Sequence, residues 1–256
     1  TINSSFNFRQ FRHNMSKLSN FGYSKVTTKE KTKLVQKVFS DVANNYDLMN
    51  DVMSFGAHRL WKKSFIDIVN PSSGDKIIDV GSGSGDLVLE ILKRDLNLEI
   101  DMVDLNKAML LEGKKRIKKN NVKFFQENAE NLSFLDNIYD KYLISFCLRN
   151  VTDIDQSFKE AFRILKPGGQ YYCLEFSRPN SFVLANIYSY YKSNIIPTFG
   201  KIFSNNRDAY NYLNESIDLF PKQDELKKRI ESAGFKSVKY KNLFDGIVSI
   251  HTGYKY

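Results

Sequence analysis

The chain has 256 residues, enough for one α/β core without a second domain. It has no apolar run near the ~20 residues that a membrane-spanning helix needs, no internal repeat, and, with two cysteines and three histidines, no metal-ligating spacing. The net charge of +9 leaves three explanations open: nucleic acid, an anionic membrane surface, or a basic leader.

Residues 1–30 read as that leader. Arg9, Arg12, Lys17, Lys25 and Lys29 come without an acid before Glu30, among Ser, Asn and Phe. This is the composition of a mitochondrial transit segment or its remnant. A disordered basic terminus from a lysine- and asparagine-rich proteome is the alternative. Residues 31–256 then form one domain. Apolar spacing predicts a helix over 33–39, and 46–61 reads as turns and a short helix. Lys76–Val80 is a short apolar strand running into the glycine-rich loop Asp79-Val-Gly-Ser-Gly-Ser-Gly-Asp86, and a helix follows over 86–92.

Strands are expected at 99–105, 122–126, 142–148 and 171–176, with a helix from Lys107 between the first two. Ile154, Phe158, Ala161, Phe162 and Leu165 repeat at helical spacing, and Lys166-Pro-Gly-Gly169 stops that helix. Residues 178–220 form an insertion rich in aromatics: Phe182, Tyr188, Tyr190, Tyr191, Phe199, Phe203, Tyr210, Tyr212 and Phe220. Such an apolar lid suits a long apolar tail, with a membrane surface to rest on, and equally a dimer interface; extra core is the remaining alternative. A helix over 224–233 closes at Gly234, and strand-like runs at 237–244 and 247–254 meet at Asp245-Gly246, a hairpin signal. Five strands alternating with helices, then a hairpin, predict an α/β fold with a mostly parallel sheet and one antiparallel strand. Cys147 and Cys173 fall in strand-like segments and read as free thiols in a reducing compartment.

Gly81, Gly83 and Gly85 allow a sharp strand-to-helix turn and the approach of a ligand to bare backbone. A dinucleotide fingerprint wants its third glycine where Asp86 stands. An acid there opposes a pyrophosphate at the helix N-terminus and favours an uncharged or cationic sulfonium. Asp104, at the end of the second of these strands, can take both hydroxyls of a ribose, as it could in a dinucleotide enzyme.

Upstream of the loop stand Tyr46-Asp-Leu-Met-Asn50, Met53-Ser54, His58 and Trp61. Downstream come Leu148-Arg-Asn-Val-Thr-Asp153, Arg163-Ile-Leu-Lys-Pro-Gly-Gly169, Leu174-Glu-Phe-Ser177, Tyr212-Leu-Asn-Glu-Ser-Ile217 and Ala233-Gly234-Phe235. In these motifs the chain resembles the quinone-biosynthesis C-methyltransferases of the ubiquinone/menaquinone pathway, the UbiE type. Cys147 and Ser82 depart from the family, which usually has glycine at both positions.

The resemblance implies a class I, Rossmann-like fold with a seven-stranded sheet and S-adenosylmethionine as cofactor. It adds Ser84, the pair Asn128-Ala129 and Ser145 to the cofactor contacts. It also implies methylation of a ring carbon in a polyprenylated methoxy-benzoquinol, with demethylmenaquinol as the alternative substrate. Ring carbon is a poor nucleophile until the neighbouring hydroxyl, of pKa ~10, loses its proton. Arg149 is expected to stabilise the phenolate and Asn150 to orient the quinol or a water. Asp47, His58 and, through water, Tyr46 are the candidate bases. From the family also come a homodimer, membership of a multienzyme quinone-biosynthesis complex, and peripheral attachment to the matrix side of the inner mitochondrial membrane. A nucleic-acid methyltransferase is disfavoured, because no Asn/Asp-Pro-Pro-Tyr-like motif or Pro-Cys pair is present. Nucleic acid is therefore not an expected partner. A non-catalytic scaffold of the pathway would not need the open glycine loop and Asp104.

Overall fold

The computed structural model describes residues 18–43, 46–54, 56–181, 186 and 207–256. Residues 1–17 of the expected leader and the insertion aromatics Phe182, Tyr188, Tyr190, Tyr191, Phe199 and Phe203 lie outside the described residues, as does the Tyr210 side chain.

Residues 18–27, part of the expected leader, form a hairpin of β1 (Leu18–Phe21) and β2 (Ser24–Thr27). Gly22 turns it, and Glu215 accepts the Tyr23 N–H at 3.0 Å. Helix α1 (Thr28–Val42) starts at once, because Thr27 caps it by accepting the Glu30 N–H at 3.2 Å. The stretch expected as turns and a short helix is two helices, α2 (Tyr46–Ser54) and α3 (Ala57–Val69), hinged at Gly56 with φ 75°. Their apolar faces meet the sheet through Met49, Trp61, Phe65 and Val69.

The remaining elements are β3 (Lys76–Val80), α4 (Asp86–Leu92), β4 (Glu99–Val103), α5 (Lys107–Arg116), β5 (Val122–Phe125), β6 (Tyr139–Ser145), α6 (Ile154–Ile164), β7 (Leu165–Phe176), α7 (Arg207–Leu219), α8 (Gln223–Ser232), β8 (Lys236–Leu243) and β9 (Val248–Tyr254). Strands β3 to β9 form one seven-stranded sheet in the order β5-β4-β3-β6-β7-β9-β8. Only β9 is antiparallel to its neighbours, β7 and β8, as the terminal hairpin signal predicts. The strand expected at 142–148 lies at 139–145, and the helix before Lys166 ends at Ile164, with Pro167-Gly168-Gly169 inside β7. Cys147 therefore lies past the strand, in the turn that leads to Arg149.

Alternate strand residues feed two cores. Ile77, Ile100 and Leu143 face the layer of α3 and α4, whereas Ile78, Val103 and Ile144 face α6 and α8. Phe158 of α6 is fully buried on the second face, against Tyr171. Phe158→Ala is expected to lower the unfolding free energy by about 3–5 kcal/mol, read from urea denaturation.

Candidate active site

Strand order reverses between β3 and β6, and the crevice beyond their carboxyl ends is where such sheets bind ligands. A cavity of about 760 Å³ opens there. β3 ends into Gly81, which has φ 68°. A Cβ on Gly81 would sit 2.1 Å from the Cys147 sulfur, so this thiol packs on bare glycine. Asp104, just past β4, accepts the N–H of Gly83 through Oδ2 and that of Asn106 through Oδ1, both at 2.8 Å. Burial raises its carboxyl, and these two N–H groups oppose the rise. Each oxygen keeps a lone pair for a hydroxyl on the cavity side. Asn128 and Ala129, after β5, complete the wall, and the Asn128 side chain is fixed by accepting the Glu130 N–H at 3.0 Å.

Beneath the loop lies a smaller cavity of about 320 Å³, sharing Gly81, Tyr46 and Phe146 with the first. Part of its polar lining is unsatisfied. Neither carboxylate oxygen of Asp79, nor the hydroxyls of Ser82 and Ser145, is hydrogen-bonded among the described residues. Burial, helped by the charge of Asp104 and opposed by Lys62, pushes Asp79 up to about 8. Buried orphan groups of this kind leave room for hydrogen-bond donors from a bound ligand.

Several expected contacts are placed differently. Ser145 serves the smaller cavity, not the larger. Ser84 accepts from Arg116 at 2.6 Å and lines only the smaller one. Gly85 lines neither, because a Cβ there would strike Ile117 at 2.5 Å and Met102 at 2.9 Å, so this glycine permits packing rather than ligand approach. Asp86 is not a free anion. It pairs with Lys62 at 2.6 Å and Arg116 at 2.8 Å, which cancels the repulsion expected between its carboxylate and a pyrophosphate. The orphaned Asp79, rather than Asp86, favours a cationic ligand.

A third space, about 570 Å³, adjoins the large cavity across Phe39, Tyr46, Phe146 and Asn150. Arg149 enters it from a 3₁₀ turn (Leu148–Asn150) after β6. Its Nη1 donates to both oxygens of the fully buried Glu175, at 3.2 and 3.1 Å, and to the Phe146 carbonyl at 2.6 Å. Burial raises Glu175 and Arg149 opposes it. The Arg149 Nε–H is buried without a partner among the described residues. Asn150 is oriented by Tyr212, whose hydroxyl donates to Oδ1 at 2.9 Å. Tyr46 forms part of the partition between chamber and cavity, and burial raises its phenol.

Asp47 does not reach the chamber. It lines the outer groove instead, with Oδ2 3.6 Å from Arg116 and Oδ1 buried without a hydrogen-bond partner among the described residues. His58 lines the chamber with both ring nitrogens engaged: Nε2 lies 2.9 Å from Asp51 and Nδ1 3.2 Å from Lys62. Desolvation first, then the charge of Lys62, hold its pKa low against Asp51. Sequence reasoning missed Asp79, Glu175, Lys62 and Asp51. Asp79 and Glu175 lie inside motifs, and the His58–Lys62 spacing of four on one helix was the available signal for the third.

The fold and this site define a class I S-adenosylmethionine-dependent methyltransferase. Solved structures support the fold. A Thermotoga maritima SAM-dependent methyltransferase aligns with TM-score 0.62 at 22% identity over 87% of this chain and 100% of its own. A Haemonchus contortus phosphoethanolamine N-methyltransferase holding S-adenosylhomocysteine aligns with TM-score 0.57 at 15% identity, over 76% of this chain and 52% of its own. More specifically, the model of the ubiE/COQ5 methyltransferase family matches residues 25–255, and the chain belongs to that family. The ubiquinone/menaquinone biosynthesis C-methyltransferases UbiE of Rickettsia bellii and Rickettsia typhi are 49% and 48% identical to it, each over 93% of this chain and 98% of their own.

The residues present fit S-adenosylmethionine. Asp104 suits the ribose, Asn128 and Ala129 the adenine, and Asp79, Ser82 and Ser145 the cationic amino-acid end. When bound, that cofactor supplies an electrophilic methyl group on a sulfonium. Asp104→Ala is expected to abolish saturable binding in calorimetric titration while the fold survives. A raised carboxyl is protonated in the native state and ionised in the unfolded chain between about pH 4 and its folded value of about 8. The native state then binds more protons, so Asp79 lowers cofactor-free stability as pH rises through that window. A cation seated on Asp79 drives its proton off. Titrations at pH 7 in buffers of different ionisation enthalpy should show proton release on binding, absent in Asp79→Asn.

Proposed function

We propose that the chain transfers a methyl group from S-adenosylmethionine to a ring carbon of a polyprenylated methoxy-benzoquinol, in the ubiquinone branch of quinone synthesis. The observation that carries this reading is Arg149. It is a permanently charged group fixed by Glu175 and the Phe146 carbonyl, with an N–H to spare, in a chamber that meets the cofactor cavity. A developing phenolate needs such a preorganised donor, and the apolar walls from Phe39, Met49, Phe146, Phe176 and Leu213 suit an aromatic ring. Asn150, held by Tyr212, is placed to orient the ring hydroxyl. Phe39, Tyr46, Phe146 and Asn150 line both spaces, so a ring and a cofactor bound in them would adjoin at these residues. The names of the Rickettsia relatives support quinol C-methylation and cover both quinone types. The ubiquinone branch and a mitochondrial matrix location rest on the acid-free basic stretch at 1–29. The proposal includes a homodimer in a quinone-pathway assembly, lying peripherally on the inner membrane. No helix among the described residues is long and apolar enough to cross a membrane.

The test is formation of S-adenosylhomocysteine by the purified chain with short-chain methoxy-benzoquinol and demethylnaphthoquinol. The benzoquinol is expected to show the higher kcat/KM; a faster naphthoquinol reassigns the branch. Arg149→Lys keeps the charge but loses the planar donor set, and should lower kcat roughly 10²-fold with cofactor affinity unchanged.

A further inference from the structure

Transfer of a methyl cation to a ring C–H leaves one proton to dispose of. The ring's electron pair forms the new C–C bond, the C–S pair returns to sulfur, and the ring hydroxyl and carbon together release a single net proton to the enzyme. The titratable groups lining the chamber are Tyr46, His58, Lys62, Arg149 and Tyr212. Arg149 cannot take a proton, and burial holds both phenols un-ionised. His58 and Lys62 differ from the others in position. Both also line an open surface groove of about 1360 Å³ on the far side of α3 and are the residues common to the two spaces.

Their hydrogen bonds run in one direction. The Lys62 ammonium has only donors, so it donates to His58 Nδ1 at 3.2 Å. The imidazole therefore carries its proton on Nε2 and donates to Asp51 Oδ1 at 2.9 Å. Asp51 is fixed by both Nη atoms of Arg59, which lines the groove, and its side chain is 32% exposed, while that of His58 is 6% exposed. Asp86 holds Lys62 in place from the cofactor side and is itself shared with Arg116.

We propose that Lys62, His58 and Asp51 are the proton outlet of the chamber, an inference that rests on the quinol C-methylation proposed above. Lys62 passes a proton to His58 Nδ1 while the His58 Nε2 proton crosses Asp51 to water in the same concerted relay. Burial raises the Asp51 carboxyl, but the hydrogen bonds from Arg59 and His58 hold it low, so it does not keep the proton. The resulting neutral amine of Lys62 takes the proton of the quinol. One proton enters and one leaves, with no redox change. Lys62 is the group facing the substrate; His58 and Asp51 act through it.

The experiment compares the full wild-type chain with His58→Ala and Asp51→Asn in kcat, KM, cofactor Kd and solvent deuterium isotope effect, with free imidazoles added. Asp51→Asn keeps the side-chain shape at a half-buried position and so guards against a folding failure at His58. Each variant is expected to lose about ten-fold or more in kcat with Kd within about two-fold of wild type. Asp51→Asn should enlarge the isotope effect. Imidazole entering from the groove should restore His58→Ala, with rescue that follows the pKa of the added base. Unchanged kcat and isotope effect in Asp51→Asn overturn the outlet while leaving the methylation intact. Loss of cofactor affinity at unchanged kcat also overturns it and assigns the cluster to cofactor binding. A wild-type chain that binds cofactor yet methylates neither quinol refutes the functional reading, and the outlet with it.

Discussion

A guanidinium and a carboxylate that are both shut off from water, Arg149 and Glu175, set the terms for the rest of the site. Removing two charges from water costs several kcal/mol each, and their attraction offsets this only when the geometry is good and the remaining donors are used. Here the geometry comes from the sheet. Glu175 lies in β7, Arg149 follows the neighbouring parallel strand β6, and the N–H groups of Arg149 and Phe176 both donate to the same carboxylate. The charge is thereby fixed without side-chain freedom, and Phe176 lies under the guanidinium at 5.3 Å. The Nε–H is left over, buried without a partner among the described residues in a side chain that lines the chamber.

That donor is useful only if water is kept out, and the segment ahead of the first sheet strand does this. α1, α2 and α3 close over the carboxyl ends of β3 and β6, placing Phe39, Tyr46 and Met49 against Phe146 and Phe176. The hairpin before α1 fastens this cover to α7: Phe21 stacks on Tyr212 with ring centroids 4.3 Å apart, and Tyr212 in turn holds Asn150. One aromatic contact thus joins the N-terminal hairpin to the side chain at the junction of the two cavities.

Periodicity made the sheet readable in advance. Short apolar runs separated by helical spacing mark every strand of the sheet, although β7 begins at Leu165, six residues before the expected 171, and Asp245-Gly246 marks the turn that makes β9 antiparallel. Shorter signals were harder to read. β1 and β2 are four residues each and half exposed, so they lack a strand's apolar alternation and blend into a basic stretch. α2 and α3 were blurred because Ser54 to Gly56 is a break that local propensity does not distinguish from a turn. Glycine spacing found the cofactor loop but did not separate what each glycine does there. Gly81 accommodates Cys147, whereas Gly85 makes room for Ile117 and Met102.

The sequence alone determined the class of fold, the cofactor loop with Asp104, and the position of Arg149 just past a central strand, because these are properties of neighbouring residues along one strand–turn–helix unit. The tertiary structure decided which charges are free. Asp86 is neutralised by Lys62, 24 residues upstream, and by Arg116, 30 residues downstream, while Asp79, seven residues before it, is left without a hydrogen-bond partner among the described residues. Likewise Asp47 lines the outer groove, and His58 meets Asp51 of the preceding helix. Pairing and burial of this kind depend on distances through space between separate elements, which local spacing does not encode, whereas the His58–Lys62 contact, four residues apart on one helix, is local.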